Sequence, residues 1–300
     1  MVLLAVAVAG VGTSGPIIAA TAAPALAIAF WRNVFGAAAL TPFTLWRRLG
    51  ELRALSGAQW LAILASGVSL GLHFSAWTPS LTMTSVASAT AFAAAQPIFA
   101  AFIAAIRGEH VSRQAWVGIL LAVAGVVALS GVDLHVSVRA FSGDLLALLA
   151  GALAAIYMTF GAKVRQTVSL APYAVVCYTT AAIVLAGLAL ATGERLGGLS
   201  GNAWIKILAL TAGAQLLGHT LFNRVLKTTS PTVVSLCILL EVPTAAVIAA
   251  LWLHQVPRWS MIPGAALILL GLVVVTARSG VAARGTDHFG TPETTEVTGE

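Results

Sequence analysis

Charge is what this sequence has least of. Asp, Glu, Lys and Arg make up 9% of its 300 residues, against about 25% in a soluble domain, and that shortage excludes an ordinary water-soluble fold. Hydrophobic residues reach 59% and the mean hydropathy is +0.96. A hydrocarbon core about 30 Å thick needs ~20 apolar residues per helix, and runs of that length cover almost everything before Arg278. The alternating apolar-out, polar-in pattern of a membrane barrel is missing. The two cysteines, Cys177 and Cys237, lie inside apolar runs and define neither a disulfide framework nor metal-ligand spacing. A Walker loop, a His/Asp metal cluster and an Asp-rich pair are all absent, which excludes an ATPase, a metal centre and magnesium-dependent prenyl transfer. No cofactor is called for. A basic DNA-binding patch is also lacking. The formal charge is +6, yet the cations sit mainly in short links between apolar runs, where they report orientation; the partners expected are a lipid bilayer and a small-molecule solute, not nucleic acid. The first apolar run lacks a charged leader and nine more follow it, so it reads as a first span rather than a signal peptide.

What the sequence does have is an internal repeat. Residues 82–125 and 228–271 align without a gap under a shift of 146, which brings Thr82 onto Thr228, Pro97 onto Pro243, Gly118 onto Gly264 and Gly125 onto Gly271. Just upstream, His73 meets His219. Most of these identities are helix-punctuating residues, and duplication is their simplest source. Hydrophobic periodicity and Gly, Pro and charged breaks predict an all-α integral membrane protein of ten helices: 2–20, 25–45, 59–79, 82–106, 113–131, 143–163, 171–191, 203–225, 229–252 and 259–277. The expected units are a first five-helix repeat over 1–131, a second over 132–277, and a disordered cytoplasmic tail over 278–300 that is rich in Thr, Gly and Glu.

An odd number of spans per unit inverts the second unit. Arg47, Arg48, Arg53, Arg107, Arg113, Lys163, Arg165, Arg224, Lys227, Arg278 and Arg284 then fall on one side, and Arg139, Arg195, Lys206 and Arg258 on the other. The richer side is cytoplasmic by the positive-inside rule, which puts both termini in the cytoplasm of a multi-pass plasma-membrane protein. Inverted repeats are the architecture of many secondary transporters, whose site lies near the midplane where the halves meet.

Several short motifs recur in order along these helices: Gly12-Thr13-Ser14, Phe30-Trp31-Arg32, Thr84-Ser85-Val86-Ala87, Gln96-Pro97, Gly108-Glu109 and Gly143-Asp144. Together they resemble the EamA-type members of the drug/metabolite transporter superfamily, over residues 1 to about 277. The resemblance implies two five-helix halves around a central cavity and the export of small metabolites. The second half carries Glu241-Val242-Pro243 where the family places Glu directly before Pro. It carries His254-Gln255 where a second Gly-Glu is common, which suggests a less constrained link.

The polar residues inside the spans are the candidates for function. Gln215, His219 and Asn223 recur at i, i+4 and i+8 on one helical stripe. Ser66, Ser69, His73, Trp77 and Ser80 form a similar stripe, and Ser85, Ser88, Phe92 and Gln96 another. Such stripes face protein or water rather than lipid: the serines suit close helix packing, while His73, Gln96, Gln215, His219 and Asn223 serve either interhelical hydrogen bonds or a cavity. Glu241 lies ~18 Å from either end of its expected helix, deeper than any other acid. A carboxylate there must pair, meet water or take up a proton, and Pro243 loosens the helix beside it. Its two readings are a protonated Glu bonded to a freed carbonyl, and a proton-coupling or substrate-amine site. Arg32 lies about 10 Å inside its helix, where it can snorkel to the interface or grip a substrate carboxylate through its planar fork. Tyr157 and Trp77 suit either a cavity wall or an interfacial anchor. Glu109 suits a link or cap.

Gly12-Thr13-Ser14-Gly15 also matches the GxSG of rhomboid-type intramembrane proteases. Nothing in the chain fixes a Ser14–His pair, which that chemistry needs within hydrogen-bond reach. The expectation is therefore no enzyme but a secondary-active exporter, monomer or homodimer, of small neutral or zwitterionic metabolites such as amino acids, working by alternating access with protons as the drive. An intramembrane serine hydrolase and a non-transporting membrane scaffold are the alternatives.

Overall fold

A computed structural model of the chain describes residues 2–108, 111–219, 221 and 240–285, with backbone alone at 2–5, 129–136, 219, 272 and 275–285. All regular structure among the described residues is helical. The elements are α1 (Val2–Gly12), α2 (Ser14–Ala19), α3 (Ala25–Arg47), α4 (Leu49–Arg53), α5 (Gly57–Met83), α6 (Val86–Ala93), α7 (Gln96–Ile106), α8 (Arg113–Val136), α9 (Val138–Arg165), α10 (Leu170–Thr192) and α11 (Gly201–Leu210). A π-helical segment (Thr211–His219), α12 (Glu241–Leu253), a 3₁₀ turn (Trp259–Met261) and α13 (Ile262–Gly285) follow. Among the described residues, five stretches are long and apolar enough to cross a bilayer, and four shorter apolar helices accompany them. This is a multi-pass membrane protein.

Local chemistry explains where the helices start and break. Ser56 and Gln59 form a capping box that opens α5, and Ser85, Ser137 and Ser200 cap α6, α9 and α11 through their hydroxyls. Pro97 has no N–H to offer the Ala93 carbonyl, and the helix breaks there between α6 and α7. The periodicity-based boundaries miss two features. The expected link at 132–142 is almost wholly helical, since α8 runs to Val136 and α9 begins at Val138. The last helix likewise runs on to Gly285, past the Arg278 at which the apolar pattern stops.

Packing follows the repeat. α5 lies along α9, and its counterpart, α11 with the π-helical segment, lies along α1 and α2. α10 packs on α5 as the π-helical segment packs on α3, while α3 pairs with α10 and α8 with α13. The α8–α13 crossing is reciprocal. A Cβ on Gly125 would stand 2.6 Å from the Gly264 carbonyl oxygen and 2.6 Å from the Ile268 nitrogen, and one on Gly271 would strike Gly118 and Ala122, the same positions 146 residues earlier. Partners descend along one helix as they ascend along the other, so the two copies of this helix run antiparallel. Without a hydrophobic drive between helices in lipid, small residues that let backbones touch hold such crossings together.

A second reciprocity fixes the ends of α3 and α10. The Glu194 carboxylate, just beyond the C-terminus of α10, accepts the Leu26 N–H in the first turn of α3 at 3.1 Å. Glu51, just beyond the C-terminus of α3, accepts the Ser169 N–H at the start of α10. Each anion sits at the positive end of the opposite helix, where it is favoured electrostatically. The Glu194 end is closed further by Trp31 donating to the Leu196 carbonyl at 2.7 Å and Lys206 donating to the Ala20 carbonyl at 2.6 Å.

His254-Gln255 corrects one expectation. Gly108 has φ 79° and His254, its counterpart under the 146 shift, has φ 56°, so the histidine holds the left-handed turn that glycine makes freely. Gln255 accepts the Val86 N–H at 3.1 Å and so caps α6 from the other half. This link is constrained, not slack. Replacing His254 with Gly should relieve ~1 kcal/mol of backbone strain and raise the thermal unfolding midpoint of the purified protein. Gly125→Leu should cost ~1–3 kcal/mol by overpacking and lower that midpoint. Gly187→Leu, where a Cβ meets nothing within 4 Å, should leave it unchanged.

Candidate functional site

The deepest charge among the described residues belongs to Arg32, on α3, with 0% of its surface exposed. It does not snorkel. Its Nε donates to Gln215 Oε1 at 2.8 Å, and its guanidinium lies 4.2 Å from the centre of the Phe74 ring on α5, a cation–π contact worth ~0.5–2 kcal/mol. Neither terminal nitrogen, Nη1 or Nη2, has a hydrogen-bond partner among the described residues. Gln215 is 1% exposed and donates in turn to Asn33 Oδ1 at 3.4 Å, while the Asn33 amide is anchored on the Ala29 carbonyl. Room for the Gln215 side chain comes from Gly36, where a Cβ would stand 2.8 Å from its Nε2.

Gln215 stands on the π-helical segment, where the sequence pattern predicts an α-helix. On this segment the Gly213 carbonyl and the Gly218 backbone both face α1. Gly10 on α1 approaches both: a Cβ added to it would fall 2.9 Å from the Gly213 oxygen and 3.2 Å from the Gly218 nitrogen. Residues five apart stack one turn above another in a π-helix, whereas in an α-helix they diverge by ~140°. The wider turn lets both glycines meet α1 while Gln215 turns toward α3.

Around Arg32 stand side chains from both halves of the chain. His73 bonds through Nδ1 to the Ala150 carbonyl at 2.8 Å and sets its ring 4.9 Å from that of Phe74. Tyr178 on α10 is buried and within electrostatic reach of Arg32; it occupies the very position 146 residues after Arg32. Glu241 opens α12, half-buried, and its carboxylate also acts electrostatically on Arg32. Thus Arg32, His73, Gln215 and Glu241 come together, joined by Phe74 and Tyr178, which pattern reading missed. The 146-residue shift applied to Arg32 points straight to Tyr178.

Other candidates lie elsewhere. Tyr157 belongs to a separate buried group: its carbonyl accepts the Ser66 hydroxyl at 3.1 Å, and Ser66 meets the Tyr173 hydroxyl at 2.7 Å. Trp77 is buried and Gln96 half-buried at the start of α7, and no hydrogen bond ties either to Arg32. Of His219 only the backbone is described, and Asn223, Glu109 and Cys237 fall outside the described residues. Glu241 is also not the only enclosed acid. Asp144 is 1% exposed, about 9 Å inside α9, because the expected link is helix; beside it Gly143 lets α9 approach the end of α5 so closely that an added Cβ would stand 2.9 Å from Met83 Cβ and 3.0 Å from the Thr84 nitrogen. Ser14 makes no hydrogen bond to His73 among the described residues, and the Thr13 hydroxyl is turned back on the Gly10 carbonyl.

The model of the EamA-like transporter family matches residues 1–131 and, a second time, 141–277. The chain belongs to this family. EamA-like proteins fall in the drug/metabolite transporter superfamily and are transporters rather than enzymes. No curated protein matches the chain. Twenty-two solved chains do. One of them, described only as a crystal structure of a protein, covers 92% of this chain and 96% of its own with a TM-score of 0.65 at 19% identity, a likeness that speaks for the fold alone.

Among the described residues Gln215 supplies the hydrogen bond that reaches this buried cation, so its loss is costly. Gln215→Leu should destabilise this EamA protein by ~1–3 kcal/mol, read as a fall in the unfolding midpoint, while Gln215→Glu, which offers Arg32 a carboxylate, should fall less.

Proposed function

We propose that this protein is a secondary-active carrier that exports small neutral or zwitterionic metabolites, amino acids among them, from the cytoplasm across the plasma membrane. Two five-helix halves, 1–131 and 132–277, inverted with respect to each other, rock around a shared polar centre, with both termini and the tail in the cytoplasm. The observation that carries the reading is the polar cluster on Arg32, which draws α3 and α5 from the first half and α10, the π-helical segment and α12 from the second. A site at the repeat interface is what alternating access requires. The antiparallel α8–α13 crossing supports the inversion, and the cation count of the links supports the orientation.

In this reading the solute path is lined by Arg32, His73, Trp77, Gln96, Tyr157, Gln215, His219 and Asn223. Few charges converge on the cluster, which suits a neutral or zwitterionic solute better than a polyanion. Glu241 takes up and releases the driving proton, since a carboxylate held beside a fixed cation inside the bilayer can exchange a proton as the surroundings change.

Flux of a panel of amino acids and nucleobases into proteoliposomes tests the carrier. Transport driven by a pH gradient is expected for at least one solute, and its loss in Glu241→Gln with downhill exchange retained. A Glu241→Gln variant that still couples to the gradient removes the proton assignment. For orientation, the thiol introduced by Arg139→Cys should react with impermeant reagents from outside intact cells and that introduced by Arg47→Cys should not; the opposite pattern reverses the topology.

A further inference from the structure

Arg32 is an enclosed cation whose hydrogen bonding is incomplete among the described residues. A guanidinium carries five N–H donors and does not lose its proton in proteins, so it stays charged even at 0% exposure. One donor, on Nε, is spent on Gln215. The four on Nη1 and Nη2 meet no acceptor among the described residues. The neighbours do not supply one: Phe74 offers only its ring face, His73 is committed to the Ala150 carbonyl through Nδ1, and Glu241 acts on Arg32 through its field without a hydrogen bond to either terminal nitrogen. Buried polar groups are normally satisfied, and a fork with both tines open has the shape that two carboxylate oxygens fill.

We propose that Nη1 and Nη2 of Arg32 form the receptor for a single carboxylate on the transported solute. The inference rests on the carrier reading for the word transported, and on the open fork for the rest. With Gln215 pinning Nε, the remaining edge of the plane is presented as a pair, the bidentate geometry that distinguishes a carboxylate from the amide or ester of the same molecule. Glu241 limits the ligand. In its ionised form it opposes a second anionic group near Arg32, so dicarboxylates and phosphates are disfavoured in that state, while an ammonium attached next to the carboxylate is accepted. The class that satisfies both is the α-amino acid zwitterion, with simple monocarboxylates as weaker ligands. Because Arg32 is fully enclosed, the ligand reaches it only when the surrounding helices part.

Equilibrium binding to the purified full-length protein tests this without requiring flux. The probes are the proteinogenic amino acids, their C-terminal amides, and the monocarboxylate 4-methylpentanoate, followed by calorimetry and by ligand-induced thermal shift. The expected result is at least one amino acid that binds ~100-fold or more tightly than its amide. Arg32→Gln should bring that ratio to within ~10-fold, and Arg32→Lys, which keeps the charge but loses the fork, should give an intermediate ratio in a protein whose elution profile matches the wild type. Equal binding of acid and amide by the wild type, a wild-type ratio in Arg32→Lys, or no binding by any amino acid or by 4-methylpentanoate overturns the assignment. Acid-selective binding without flux in proteoliposomes sinks the carrier and leaves the receptor standing. Flux indifferent to the carboxylate sinks the receptor alone.

Discussion

Inside a bilayer no polar group can lean on water, and that constraint shapes this molecule. Hydroxyls such as Thr41, Thr44, Thr90, Thr180 and Thr211 turn back on the carbonyl four residues earlier in the chain. The larger groups cannot be satisfied so locally and must find partners on other helices: His73 on α9, Arg32 on the π-helical segment, Ser66 on α9 and α10. These bonds are what tie sequence-distant segments into one core. Deep charge is therefore concentrated at a few places, and Arg32, whose Nη1 and Nη2 meet no acceptor among the described residues, is reached by side chains from both repeats.

Close approach is the complementary device. Apolar surface gives helices no reason to prefer one another over lipid, so contact surfaces are set by where backbones can touch. Gly125 and Gly271 let α8 and α13 meet, Gly67 and Gly71 let α5 meet α10, Gly151 lets α9 meet the carbonyl left free by Pro97, and Gly10 with Gly213 and Gly218 let α1 meet the π-helical segment. In the last case the Gly213 carbonyl and the Gly218 backbone, five residues apart, both face Gly10 on the widened turn.

Much of this is legible in the sequence, for physical reasons. Apolar length and breaker residues mark most of the helices, because in lipid those two properties decide what can span. The repeat is visible because glycines and prolines at the crossings tolerate little change, and the same shift lands on His254 and Gly108, whose shared turn survives the exchange of residue type. What escapes is whatever depends on three-dimensional neighbours. Helix from Val138 onward encloses Asp144, which in sequence looks like part of a polar link. Tyr178 looks like any aromatic residue in an apolar run until Arg32 is placed against it. The widened turn at Thr211–His219 depends on what α1 brings to it, and no local propensity encodes that.

The reciprocal end-capping of α3 and α10 has a mechanical consequence. Each helix carries, on the chain just past its C-terminus, the carboxylate that holds the start of the other, so a pull at either membrane face is transmitted along both rods at once. The pair acts as a strut braced at both ends, with Arg32 and Tyr178 fastened along its length. In the carrier reading, a motion that admits water from one face would swing this strut as a single lever against the remaining helices, and the buried cation would travel with it.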